Sequence, residues 1–112
     1  MDRLWWCVVI AAVVVLGLLV VMSTFSQEEN DVVMDCILLC RYVKEAGANL
    51  SQGPCLSDGN PEWKHTDWVC DVAHSPRQPV DNLPENQCNE FRSGRAHHFV
   101  EITPECEFIR AV

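Results

Sequence analysis

Basic residues are scarce. Eight Lys and Arg stand against 16 Asp and Glu, a formal net charge of −8 in 112 residues. Those after Arg3 are scattered between Arg41 and Arg110 rather than clustered. A chain of this sign is repelled by phosphate backbones and anionic headgroups, which argues against nucleic-acid binding. No second long apolar run follows the first, so a multi-pass transporter is excluded. No C-x-x-C occurs, which removes the usual signature of thiol–disulfide exchange. There is no internal repeat and no low-complexity tract, and the length leaves room for one domain at most.

What the chain does have is divided sharply at about residue 26. Leu4 to Met22 is an unbroken run of 19 residues without a charge. As a helix it reaches roughly 28 Å, close to the hydrocarbon thickness of a bilayer. Trp5 and Trp6 fall where its first turn would meet the headgroups. Arg3 and the terminal amine precede it, whereas Gln27-Glu28-Glu29-Asn30-Asp31 follow. This charge asymmetry predicts a cytoplasmic N-terminus. Residues 1–26 therefore read as a cytoplasmic tip and a transmembrane signal anchor, and residues 27–112 as an extracytoplasmic domain of a single-pass cell-membrane protein. The rival is a secreted product cleaved after Ser26, but the run is longer than an ordinary signal-peptide core. Cys7 precedes most of the run and reads as a small packing residue.

Six of the seven cysteines lie in the exported part: Cys36, Cys40, Cys55, Cys70, Cys88 and Cys106. An even count in a small domain outside the reducing cytoplasm predicts disulfides, and a domain of this size needs them. Sequence does not choose the pairing. Cys36 and Cys40 are four apart on an expected helix, so they share a face and should reach two different segments rather than each other.

Ser26-Gln27-Glu28-Glu29 has the form of a capping box that would start a helix over 29–46, after a short break at Ser23-Thr24-Phe25. Val33, Cys36, Ile37, Cys40 and Val43 would form its inner stripe, and Gly47 its stop. With so short a break, the domain would sit against the membrane surface. Residues 48–62 read as loop, with a short strand near Cys55-Leu56 and a glycosylation sequon at Asn49-Leu50-Ser51. Trp68–Ala73 reads as a strand with Trp68, Cys70 and Val72 facing one way. The proline-rich stretch 75–88 reads as an extended loop pinned at Cys88, and with Arg77 it is the best candidate for a functional surface. His97–Ile102 and Glu107–Val112 predict a C-terminal hairpin, with Val100 and Ile102 turned inward and Phe108 or Ile109 opposite. Trp63, Trp68 and Tyr42 read as core anchors. The expected fold is α+β: one amphipathic helix on a three- or four-stranded antiparallel sheet.

Candidate chemistry is thin. Cys70 and His74 have ligand-like spacing, but an oxidised Cys70 offers no thiolate, and no metal or other cofactor is expected. His97 and His98 point to opposite faces of a strand. His98, His74 and Asp71 are the candidates for a small exported hydrolase in which a histidine works with a carboxylate. Convergence of those three in one cleft would favour that enzyme. Their dispersal would favour the leading expectation, a non-enzymatic domain that binds or scaffolds another envelope or surface protein. A metal-binding domain is the third reading.

Overall fold

The computed structural model describes residues 2–112, and for residues 19–26 the backbone only. The chain divides into two compact units, Met1–Asn30 and Asp31–Val112. Helix α1 (Asp2–Glu45) contributes to both. The expected break at Ser23-Thr24-Phe25 is absent, and no new helix starts at Ser26. No Gly or Pro occurs between Leu18 and Glu45, so nothing in that stretch interrupts the backbone ladder. Among the described residues no helix is long and apolar enough to cross a membrane. The run expected to do so, Leu4–Met22, falls partly on residues 19–26, whose side chains lie outside the described residues. α1 ends where expected, at Gly47, whose φ of 93° suits a residue without a Cβ.

The second unit is a mixed helix and sheet domain with three strands: β1 (Trp68–Val72), β2 (His98–Ile102) and β3 (Phe108–Ala111), in that order. β2 and β3 form the expected antiparallel hairpin. Its turn closes on Cys106, held at φ 66°, as the last residue of a short hairpin loop commonly is. β1 and β2, however, are parallel, with Trp68 opposite His98 and Val72 opposite Ile102. The expectation of a wholly antiparallel sheet is thus corrected. Parallel neighbours need a long crossover, and residues 73–97 provide one. That stretch holds two 3-10 turns, Pro79–Asn82 and Pro84–Asn86, and a single-turn helix, α2 (Asn89–Arg92). The stretch expected as a loop is therefore the connection that sets the sheet's topology. The strand expected near Cys55 is a single bridge to Asp71.

One sheet face lies on α1. Val32, Cys36, Leu39 and Cys40 meet Cys70, Val72, Val100 and Ile102, all buried, with Trp63 and Trp68 packed at the margin. Each large apolar side chain buried there contributes roughly 1.5–3 kcal/mol. Tyr42, expected inside, is 67% exposed. Opposite Val100 and Ile102 the sheet offers Ala111 and Phe108. Ala111 packs on the core, while Phe108 is half exposed beyond an irregularity in the register between Glu101 and Ile102. A bulge of this kind turns the following side chain away from its expected face.

Three disulfides fasten the layers: Cys36–Cys70, Cys40–Cys106 and Cys55–Cys88. The two helical cysteines do reach different segments, one β1 and the other the β2–β3 turn. Cys7 is free.

The crossover is seated by Asp81. Its buried carboxylate accepts the backbone N–H groups of Gln78 (2.8 Å) and His74 (3.0 Å) and the His74 ring Nδ1 (2.9 Å). Burial alone would push this carboxyl up, but those hydrogen bonds outweigh it and hold it below its ordinary value. Gly53 presses against the same group at φ +71°, where a Cβ would stand 2.5 Å from Asp81 Oδ1 and 2.9 Å from the Val72 carbonyl oxygen. Gly53→Ala is expected to cost about 2 kcal/mol or more, from the left-handed backbone and the clash together. Denaturant unfolding measures it, and an unchanged midpoint would show that this turn is not seated on Asp81.

Candidate functional site

Strand alternation sends Val69 and Asp71 of β1, and Phe99 and Glu101 of β2, to the sheet face away from α1. The parallel register sets Asp71 directly beside Glu101. From β3, Arg110 is the register partner of Glu101 and donates to its Oε1 at 2.7 Å. From the crossover, Arg77 donates to Glu101 Oε2 at 2.9 Å, and its remaining guanidinium groups hold the Asn82 side chain and the Asp81 carbonyl. Both oxygens of Glu101 are thus occupied by guanidinium groups. Asp71 has no such partner. Its Oδ1 is sealed from solvent and makes no hydrogen bond.

That difference separates the two carboxyls electrostatically. Burial, reinforced by the charge of Glu101 and more weakly by Asp81 and Asp58, pushes Asp71 up to about 8, against an opposing effect of Arg77. Asp71 is therefore a neutral acid at pH 7, adjacent to an ionised Glu101.

These groups line a cavity of about 400 Å³. One wall is aromatic: Phe91 and Phe99 meet edge to face with centroids 5.1 Å apart, and Arg110 lies over Phe99 at 5.3 Å. Arg92, from the last turn of α2, also lines the cavity. Among the described residues no carboxylate pairs with it.

Of the three residues singled out in the sequence, only Asp71 lies in this cavity. His74 is tied to Asp81. His98 sits on the α1-facing side, stacked on Trp68 with centroids 4.7 Å apart and 3.6 Å from Asp67. His97 is exposed and hydrogen-bonded to the same Asp67, whose carboxyl that bond holds below its ordinary value. His65 pairs with Asp35 at 2.7 Å, at the edge of a separate groove of about 470 Å³ between α1 and residues 62–65. Each histidine thus has a carboxylate partner, Asp67 being shared by His97 and His98, and none shares the sheet-face cavity with Asp71. Cys55, Asp58 and Cys88 gather closely enough to hold a metal ion. Both sulfurs, however, are spent in a disulfide and supply no thiolate.

Sequence reasoning marked Asp71 and Arg77 separately but missed Glu101, Arg92, Arg110 and the Phe91–Phe99 wall as a set. The available signal was an acid at the second-to-last position of each of WVCDV and HFVEI. No protein-family model, curated protein or solved structure matches the chain. What the fold and the cavity define is a class, a disulfide-fastened domain of mixed helix and sheet with a charged pocket on its free sheet face.

Proposed function

We propose that the chain is a single-pass membrane-anchored domain, with its N-terminus cytoplasmic and residues 27–112 outside, that binds or scaffolds rather than catalyses. The observation that carries the reading is the composition of the sheet-face cavity. It gathers charged and aromatic side chains but offers neither a nucleophile nor a base free to activate one. The neutral Asp71 beside an ionised Glu101 resembles an acid–base pair on paper. Glu101, however, already accepts from Arg77 and Arg110, one on each oxygen, and is held as an ion-pair partner rather than presented as a base toward a bound water. The histidines, all paired with carboxylates outside the cavity, give the hydrolase reading no further support.

The anchor and its orientation rest on the uncharged Leu4–Met22 run and the charges flanking it. The pairing of all six cysteines after residue 26 suits an oxidising compartment. Protease added to intact cells expressing the full chain is expected to digest residues 27–112 while the chain stays in the membrane fraction. Protection of those residues would overturn the orientation. Recovery of a fragment beginning after Ser26 in the medium would overturn the retained anchor.

A further inference from the structure

We infer that the sheet-face pocket takes a small organic carboxylate with an apolar body, an assignment that rests on the binding reading above. Three guanidinium groups, Arg77, Arg92 and Arg110, line it against one ionised carboxylate, Glu101. The pocket is therefore positive on a domain that is otherwise strongly acidic, and it favours an anion. Arg77 and Arg110 are locked on Glu101, which leaves one guanidinium unpaired, that of Arg92. One free guanidinium matches one negative charge, in the planar two-oxygen form that a guanidinium binds best. A dianion such as phosphate would find only that one unpaired guanidinium, because Arg77 and Arg110 are already held on Glu101.

Asp71 supplies the complementary donor. In its neutral form the carboxyl offers an O–H in the same cavity, and a carboxylate is the strongest acceptor for it. The Phe91–Phe99 wall and Val69 give an apolar body a surface to cover. A cavity of about 400 Å³ is of the size that small-molecule sites have.

The arrangement carries its own pH dependence. Asp71 is faced by Glu101 from β2, Arg77 and Asp81 from the crossover, Asp58 from the loop before β1, Arg110 from β3 and Arg92 from α2. Once Asp71 ionises, its donor is lost and its charge repels the ligand. Affinity then falls by up to about tenfold per pH unit above about pH 8.

The full chain in detergent micelles, titrated with phenylacetate and followed by NMR at Arg92, Phe91 and Phe99, tests the assignment. Phenylacetate is expected to bind with a Kd of about 1 mM or tighter. The neutral isostere phenylacetamide and inorganic phosphate should each bind at least about tenfold more weakly. Arg92→Gln should weaken phenylacetate binding about tenfold, and Arg41→Gln, on α1 outside the pocket, should leave it unchanged. Between about pH 7 and about pH 9.5 the wild-type affinity should fall and that of Asp71→Asn should stay level. Equal or tighter binding of the amide or of phosphate at the same residues would overturn the carboxylate class while leaving a binding pocket in place. An unaltered affinity in Arg92→Gln, or a wild-type pH fall retained in Asp71→Asn, would overturn the assigned contacts. No shift at these residues with any of the three probes would overturn the pocket itself.

Discussion

Replacing Cys40 and Cys106 together by alanine is expected to lower the unfolding free energy by about 4 kcal/mol. The bond closes the longest disulfide loop in the domain, with a sequence separation of 66 against 34 and 33 for the other two. In the chain-entropy account the stabilisation grows with the logarithm of that length, so this bond should exceed either neighbour by about 0.5 kcal/mol. It is also the link that ties the β2–β3 turn to α1, so its loss frees the hairpin as well as the unfolded chain. A domain of this size has only about 5–10 kcal/mol in hand, and the doubly substituted protein should be close to unfolding at body temperature. Cys106→Gly in place of Cys106→Ala should recover about 1 kcal/mol, because residue 106 sits at φ 66°. Urea unfolding of the full chain and the two double variants measures the loss and the recovery, and the matching alanine pairs at Cys36–Cys70 and Cys55–Cys88 measure the difference between bonds. A loss below about 1 kcal/mol would show that the hairpin is held by packing and the bond is dispensable.

The features legible in the sequence were those with a short-range cause. Period-two alternation in HHFVEI put Val100 and Ile102 inward, and both are fully buried. The four-residue spacing of Cys36 and Cys40 favoured two different partner segments over each other, and each reaches a different segment. The hairpin could be read from two β-rich runs around Pro104-Glu105. What could not be read had a long-range cause. The parallel pairing of β1 and β2 depends on how residues 73–97 return along the sheet, and that stretch has no periodicity to betray its path. It is fixed by contacts between distant residues: Arg77 on Glu101, Asp81 under His74, and the Cys55–Cys88 bond. The pocket was hidden for the same reason. Asp71 and Glu101 are 30 positions apart, and only the parallel register makes them neighbours. The element that partly covers that sheet face, Asn89–Arg92, is a single turn and too short to leave a helical pattern in the sequence. The helix boundary failed differently. The capping motif at Ser26 was present, but a cap starts a helix only where the chain before it is not already helical.

Asp71→Asn should make the domain more stable at about pH 8 by on the order of 5 kcal/mol, while changing little at about pH 4. The carboxyl rises from an ordinary value of 3.8 to about 8 in the folded protein, first through burial and then through Glu101. The folded state therefore holds a proton that the unfolded state has already released. Between those two values stability must fall as pH rises, by about 1.4 kcal/mol per unit. It is fully present below the unfolded value and is lost as pH passes through about 8. An asparagine is neutral throughout and keeps a donor and an acceptor in the same shape, so its stability should show no such fall. Asp67, Asp81 and Glu90 are shifted the other way. Their stabilisation disappears only as the solution becomes acidic enough to protonate them, below the window in which Asp71 acts. The two effects therefore separate on a plot of unfolding free energy against pH, measured in denaturant on wild type and variant. Parallel curves for the two proteins would mean that Asp71 is solvated and ionised like a surface carboxylate, and the reading of the pocket as holding a neutral acid would fall with it. Diverging curves would show a buried acid kept at a standing cost to stability where an amide of the same shape serves the fold better. Such a cost is expected where a side chain is retained for what it does to a ligand rather than for what it adds to the core.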